Sequence, residues 1–381
     1  LPAAARDGGR DPERARPIDS VRRLRGGRSR TSWAQLASMM VILGCGGISG
    51  EDHTIDVAGY PLCNSGKGGT LVVSDNPGLE VTVDVTTARQ TMIGFGASDC
   101  WSIQHVGRWP LEKREAIADL LFETGLDPAG HPRGIGLSVW RFNIGAGSSR
   151  QDHISREWRT ADTFLSQDFT NYDWTRLPGQ RWFLDAAATR GVEHLIAFAN
   201  SPPINMTKNG RAYCDSGSGS TNLASGREED FAAFLADVIQ HFREIEGIEF
   251  DSLSPFNEPQ WDWEAGTQEG CRYSATDMKR VVEALARQPG LGPTAIEIPE
   301  SGSVLDLWED ESYLWSLFDP SSSDYVGDKV ASSISGHSYA TDLPSTGLLE
   351  HRKKLRSKLD RFEGLRYSCL LYTSPSPRDH S

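Results

Sequence analysis

This 381-residue sequence lacks long apolar runs and the short motifs that hold metals or phosphates. The N-terminal apolar stretch, Leu36 to Leu43, is too short to cross a bilayer. There is no HExxH, no CxxC pair and no glycine-rich phosphate loop. Metal, thiol-redox and nucleotide chemistry therefore have no support in the motifs, and no metal or cofactor is predicted.

Basic residues are scarce outside the first 30 positions. Residues 1–30 carry nine Arg against four acids and are net +5, which leaves −18 for the rest of a chain whose total is −13. An acidic body of this kind repels nucleic acid, which we exclude as a partner. The 38% hydrophobic content and 11 Trp suffice for a large core, in one barrel-sized domain or two smaller ones.

Cysteine is also sparse, with six residues in the chain. In an exported protein Cys214 and Cys271 could pair and tie two loops together, although the sequence leaves this pairing open.

The first 45 residues resemble an export signal. A basic region precedes the apolar stretch, and Ile42-Leu43-Gly44-Cys45 resembles a lipoprotein box that would lipidate Cys45 and attach the protein to a membrane. A plain secretory signal and an over-extended reading frame are the alternatives. The expected location is extracellular or on a bacterial cell surface. Residues 46–68, rich in glycine and polar groups, are predicted to form a tether.

From about residue 92, strand-like apolar runs alternate with helical patterns, as they do in βα units around a parallel sheet. The predicted strands cover residues 91–96, 136–142, 194–199, 248–255, 294–299, 330–337 and, from its start, 364–367. The predicted helices cover residues 111–124, 180–189, 228–244, 275–287 and 347–362. We predict an α/β chain whose residues 92–367 form a (β/α)8 TIM barrel, incomplete at about seven strands. Two alternating runs within residues 69–91 predict a small β-domain before it.

Polar groups follow six successive predicted strands, and the C-terminal strand ends of a (β/α)8 barrel form its active site. The most informative group is Glu258, in Phe256-Asn257-Glu258-Pro259. A carboxyl group at a strand end suits protonation of a glycosidic oxygen, and the neighbouring amide can hold a sugar hydroxyl.

The stretches GFGASDCWS, VWRFNIGAGS, FANSPP, SPFNEPQWDW and GHSY resemble glycoside hydrolase family 30, in particular its endo-β-1,6-galactanase-like branch, from about Thr70 to Tyr367. The resemblance implies a retaining enzyme with a (β/α)8 barrel, a side β-sandwich that includes the strands of residues 69–91, and Glu258 as general acid/base. It implies a polysaccharide substrate. Substrate-binding positions under this resemblance are Asp99, Trp101, Arg141, Asn200, Asn257, Trp261, His337 and Tyr339.

Each of these positions also has a structural alternative. Arg141 would form an ion pair with a carboxylate, His337 would be a hydrogen-bonded core histidine, and Asn200 would cap a loop. The tryptophans would pack in the core or in loops. Another β-glycanase activity of the family, of xylanase or β-glucosidase type, and a non-catalytic glycan-binding surface lipoprotein are the alternative functions.

Retaining hydrolysis needs a second carboxylate roughly 5–5.5 Å from the acid. The resemblance puts this nucleophile at the end of strand seven, where residues 368–381 resemble translated sequencing-adapter DNA. We therefore expect a C-terminally truncated chain that lacks the nucleophile and is inactive. Glu300, after strand five, is the other carboxylate considered; a position in the site wall or at a helix N-terminus is favoured for it.

Overall fold

The structure, a computed structural model, describes residues 93–309, 312–339 and 347–371. The predicted export signal with Cys45, the tether and the early strands of residues 69–91 lie outside these residues. Most of the adapter-like segment, from residue 372 onward, also lies outside them.

The described strands pair in parallel and in chain order. They are β1 Gly96–Ser98, β2 Val139–Asn143, β3 His194–Phe198, β4 Ser252–Ser254, β5 Ala295–Ile296, β6 Ile298–Ser301, β7 Ser333–His337 and β8 Arg366–Leu371. One sheet has the order β1-β2-β3-β4-β5 and a second has the order β6-β7-β8. Only Glu297 separates β5 from β6, so these two are halves of the fifth predicted strand. The α/β class with parallel strands is confirmed.

Helices lie between the strands, as βα units require. They are α1 Ile103–Val106, α2 Leu111–Phe122, α3 Pro178–Thr189, α4 Glu228–His241, α5 Ala275–Leu285, α6 Leu305–Trp308, α7 Tyr313–Phe318 and α8 Gly347–Leu359. The chain continues from α4 into a π-helical turn, Phe242–Glu246. Single 3-10 turns are Ser148–Arg150, Glu157–Arg159, Ile204–Met206 and Pro289–Leu291. No helix within the described ranges has both the length and the apolar character needed to cross a membrane.

The α5 helix begins at Ala275, the predicted first residue, and Ser274 is its N-cap. Ser274 Oγ accepts a hydrogen bond from the Asp277 amide at 3.2 Å, and the Ser274 amide donates to the Asp277 carboxylate at 3.0 Å. This reciprocal pair satisfies two amides that a helix start would otherwise leave without partners.

The first strand is displaced from its prediction, because β1 begins at Gly96, where the predicted strand ends. The Phe95 amide donates to the Ser138 hydroxyl at 3.1 Å instead of to a carbonyl, so the regular ladder starts one residue later. Gly96 then lies so close to β2 that a Cβ there would be 2.6 Å from the Val139 carbonyl oxygen. Only glycine permits this approach.

At the other end of the sheet, β8 runs beyond the predicted boundary at Tyr367. Ser368 and Cys369 pair with Ser335 and Gly336 of β7. Four residues of the predicted adapter-like segment, 368–371, therefore belong to a strand of the sheet.

Strand β2 shows why polar side chains collect on the face of the sheet that points away from the helices. Alternate residues of a strand point to opposite faces. Trp140 packs on Phe122 of α2 at a ring-centroid distance of 5.1 Å and on Phe183 of α3 at 6.4 Å. Phe142, on the same face as Trp140, packs against Phe242 at 5.3 Å. Arg141 and Asn143 therefore point away from the helices.

Candidate active site

Four predicted site residues meet at the strand ends: Arg141 on β2, Asn257 and Glu258 after β4, and His337 at the end of β7. The Arg141 guanidinium donates to Asn257 Oδ1 at 2.9 Å. His337 Nδ1 lies 2.7 Å from Glu258 Oε1. The hydrogen bond between Arg141 and Asn257 joins residues 116 positions apart in sequence. All four residues are buried. The convergence expected of strand-end residues is thus observed.

Glu258 is held by its backbone as well as by its side chain. Its amide donates to the Glu300 carbonyl at 2.9 Å, and its own carbonyl accepts from the Trp263 indole at 3.0 Å. Its φ of 47° is in the left-handed region, which a non-glycine residue adopts only where its surroundings enforce it. The side chain retains 10% exposure, so the carboxyl group lies at the rim of the site.

Glu300, the other carboxylate that the sequence offers, lies in the wall of the site. It lies on β6 and forms an ion pair with Arg141, and its side chain has no exposed surface. Its Oε1 lies 3.1 Å from His337 Nε2, and its amide donates to the Ser335 hydroxyl at 3.0 Å. The alternative position at a helix N-terminus is wrong, because α6 begins only at Leu305.

The charges of Arg141, Glu300 and His337 decide which of these side chains carry a proton. Burial alone would raise the pKa of Glu300, but the Arg141 guanidinium and the hydrogen bond to His337 outweigh it and lower that pKa. For His337 burial acts in the opposite direction and would lower the pKa. Its hydrogen bonds to Glu258 and Glu300 outweigh burial and raise the pKa. The wall therefore favours an ionised Glu300 and a protonated His337.

Asp99 and Asn200 form an adjoining network through Asn143. The Asp99 carboxylate accepts from the Asn143 amide at 3.0 Å, and Asn200 Nδ2 donates to Asn143 Oδ1 at 3.1 Å. Asp99 is fully buried, and burial raises its pKa to about 7. Asn200 also donates to the Cys100 thiol at 3.6 Å. Both predicted residues lie beside Arg141 in the wall instead of at the rim.

The predicted aromatic residues are more exposed. Trp261 is 43% exposed, and Trp101 and Tyr339 are half-buried. The Tyr339 ring packs edge-on against His337 at 5.5 Å. Trp261 lies against Gly302, where an added Cβ would be 2.5 Å from the indole nitrogen and 3.2 Å from the Glu258 carboxyl carbon. A side chain at position 302 would therefore displace the acid and the aromatic together.

Three further residues hold the site and are not among those predicted from the sequence. Ser335 fixes the Glu300 backbone, Trp263 fixes the Glu258 carbonyl, and Gln260 accepts from the Gly302 amide at 3.1 Å. For Trp263 the sequence offered only the general alternative that the tryptophans pack in the core or in loops. Its position five residues after Glu258 was the available signal, since such a loop folds back on its own strand end. In the described part of the chain, no group of three His, Cys, Asp or Glu side chains is placed to hold a metal ion.

Carboxyl groups that share a histidine at the C-terminal ends of parallel strands give an acid–base site of the type that glycoside hydrolases use. The family comparison agrees with this class. The model of O-glycosyl hydrolase family 30 matches residues 78–368, and the chain belongs to this family.

Two characterised relatives share part of the sequence. An endo-β-1,6-galactanase from Hypocrea rufa is 30% identical over 225 residues, which is 53% of this chain and 44% of that protein. An exo-β-1,6-galactobiohydrolase from Bifidobacterium longum subsp. longum is 33% identical over 105 residues, which is 27% of this chain and 7% of that protein. The chain thus matches less than half the length of either relative.

A solved structure is similar over a longer stretch. The crystal structure of a conserved exported protein from Bacteroides fragilis superposes with a TM-score of 0.70 at 33% identity. The superposition covers 77% of this chain and 63% of that one.

Proposed function

We propose that this protein is a retaining glycoside hydrolase that cleaves β-1,6-linked galactan, with Glu258 as its general acid/base. The observation that carries the proposal is the position of Glu258. Its carboxyl group lies at the rim of the strand ends, 10% exposed, with Oε1 on a buried histidine. This leaves Oε2 to face a glycosidic oxygen.

One proton can be shared between Glu258 and His337. Because Glu300 is ionised, His337 Nε2 carries a hydrogen and donates to it. The second ring nitrogen then either donates to the Glu258 carboxylate or accepts from its carboxylic acid. Glu258 can therefore be charged or neutral without breaking the 2.7 Å contact. A general acid that later acts as a base needs this property.

The names of the two characterised relatives support the substrate. One is an endo-β-1,6-galactanase and the other an exo-β-1,6-galactobiohydrolase, so both names specify a β-1,6 linkage between galactose units. Trp261 supports a sugar at the rim, because an exposed indole beside the acid offers an apolar face to a pyranose ring.

We also propose that the parallel strands belong to a (β/α)8 barrel whose nucleophile belongs at the end of the strand numbered β8 here, where residues 368–381 contain no Glu. The residues after Leu371 lie outside the described part of the chain. Glu300 is a poor candidate, because an ion-paired carboxylate without exposed surface cannot reach an anomeric carbon. Its fixed negative charge instead supports the proton shared by Glu258 and His337.

Export to the bacterial surface, with Cys45 as the lipidated residue, remains part of the proposal. It is supported by the basic and apolar segments before Cys45. Labelling of cells with a radioactive or alkyne fatty acid tests it, and Cys45→Ala should abolish incorporation.

The test of function is hydrolysis by the gene product that carries this chain. β-1,6-galactan, xylan and β-1,6-glucan are supplied separately, and the first-formed anomer is followed by proton NMR. We expect galactooligosaccharides with retained configuration from the wild type and from Glu249→Gln, a control that changes an exposed glutamate before β4. Glu258→Gln should lose activity. Hydrolysis of xylan alone would overturn the substrate, and glycan binding without turnover would indicate a non-catalytic binding protein.

A further inference from the structure

Two buried thiols are close to each other, one in the loop that follows β3 and one in the loop that follows β4. Cys214 and Cys271 are both buried, with exposures of 1% and 0%. Both contact the backbone of Arg272: its amide donates to Cys214 Sγ at 3.5 Å, and Cys271 Sγ lies 3.5 Å from its carbonyl oxygen. Each thiol also shifts the pKa of the other, as neighbouring sulfurs do.

The loops that carry these thiols are already joined by backbone hydrogen bonds. The Cys214 amide donates to the Trp263 carbonyl at 3.2 Å, and the Gly270 amide donates to the Ala212 carbonyl at 2.8 Å. The second loop holds the acid, since the Trp263 indole donates to the Glu258 carbonyl. The thiol pair thus lies in the segment that supports the proposed catalytic residue.

We propose that Cys214 and Cys271 form a disulfide by exchange with a small-molecule disulfide such as oxidised glutathione. The bond closes a covalent ring from residue 214 to residue 271, and this ring contains α4, β4 and Glu258. The cross-link removes freedom from the unfolded chain between these positions. It also fixes the two loops on either side of the acid.

The exchange balances with oxidised glutathione as the oxidant. The Cys271 thiolate attacks one sulfur of glutathione disulfide and releases one glutathione thiolate. The Cys214 thiol then loses its proton, and its sulfur attacks the Cys271 sulfur of the mixed disulfide and releases the second glutathione thiolate. The protons of the two cysteines pass to the two glutathione molecules, so one disulfide forms as another is reduced.

The surroundings assign the order of attack. Burial raises the pKa of Cys271, but the neighbouring side chains of Cys214, Thr221 and Tyr273 outweigh burial and lower it. The neighbouring Cys271 side chain, together with burial, raises the pKa of Cys214. The Thr221 hydroxyl, 3.5 Å from Cys271 Sγ, favours the thiolate on Cys271 as the two loops come together, so Cys271 attacks first. Because both sulfurs are buried in the folded protein, exchange takes place as the loops close during folding.

Peptide mapping tests the bond without any assumption about the enzyme reaction. The full chain is refolded with a mixture of reduced and oxidised glutathione, alkylated in denaturant without reductant, and digested. We expect a linked pair of peptides that contain Cys214 and Cys271, and alkylation at the exposed Cys369 as the labelling control. Full alkylation of both Cys214 and Cys271 under these conditions would overturn the proposal.

Thermal unfolding gives a second measurement. The oxidised wild type should melt about 5 °C above the reduced protein. Cys369→Ser should keep this difference, and Cys214→Ala should abolish it. An equal difference in Cys214→Ala would show that another change causes it and would refute the cross-link. If Cys214→Ala fails to fold, the peptide map of the wild type still decides.

Discussion

Two carboxyl groups of this protein are equally buried and have opposite electrostatics. Neither Glu300, on β6, nor Glu269, in the loop after β4, has exposed surface. Glu300 contacts the Arg141 guanidinium and the His337 ring. No cation takes that place beside Glu269 among the hydrogen bonds and ion pairs of the described residues.

Glu269 is held by neutral donors. The Ser148 hydroxyl donates to it at 2.6 Å, and the amides of Ala146 and Ser148 donate at 3.2 and 3.3 Å. Burial raises the pKa of Glu269 to about 7 against these hydrogen bonds, whereas the pKa of Glu300 is lowered. Burial is the same in both regions, so the counter-charge decides whether the carboxyl group keeps its proton. The Glu300 region is built to hold charge, and the Glu269 region is built to hold a loop.

The largest effect expected from this difference is on catalysis. Glu258→Gln removes the proposed proton donor in contact with the charged region and should lower kcat/KM on β-1,6-galactooligosaccharides by roughly 10²–10⁴-fold. Glu269→Gln should keep most of the activity, because its carboxyl group only joins loops. Steady-state kinetics with circular dichroism on each variant of the gene product that carries this chain checks this. Equal losses in two well-folded variants would mean that Glu258 has no special role.

The next effect is on stability at neutral pH. Glu300→Gln leaves Arg141 as a buried charge without its carboxylate, and breaking such a pair should lower the free energy of unfolding by about 3–5 kcal/mol. Glu269→Gln keeps a neutral acceptor for the same donors and cannot ionise, so it should not lower the free energy of unfolding at pH 7 by more than about 1 kcal/mol. Urea unfolding at pH 7 measures both. A smaller loss for Glu300→Gln than for Glu269→Gln would contradict the proposed role of counter-charge.

The pH dependence of stability should have opposite signs in the two regions. The raised pKa of Glu269 means that the folded state holds its proton more tightly than the unfolded state. The contribution of Glu269 to the free energy of unfolding therefore falls by about 3 kcal/mol as pH rises from about 4.5 to about 7. The lowered pKa of Glu300 gives a contribution that is present above its unfolded pKa and lost as pH falls through its folded pKa. Differences in unfolding free energy between the wild type and each Gln variant, measured from pH 3 to 8, isolate the two slopes.

Much of the charged region was predictable from the sequence, and the Glu269 region was not. Arg141, Glu258 and His337 each lie in an apolar strand or shortly after one, and the βα order brings the C-terminal ends of these strands together. Glu269 lies in a polar loop with no periodic pattern, and its partner Ser148 is 121 positions away. The ion pair between Arg141 and Glu300 joins residues 159 positions apart and depends on which strands become neighbours in the fold. The pattern of apolar residues in the sequence determines which groups reach the strand ends. The contacts between distant strands determine whether these groups are protonated.

The smallest effect is expected at the rim, where neither burial nor counter-charge controls the side chain. Trp261 is 43% exposed beside the Glu258 carboxyl group, so Trp261→Ala should leave the free energy of unfolding within about 0.5 kcal/mol of the wild type. Losing one stacked sugar contact should raise KM roughly tenfold, the equivalent of about 1.4 kcal/mol, with kcat less affected. Trp109→Ala is the matched control, since Trp109 is 39% exposed and precedes α2. If both substitutions raise KM equally, exposed tryptophans act nonspecifically; if only Trp261→Ala does, the sugar binds at the rim of the charged region.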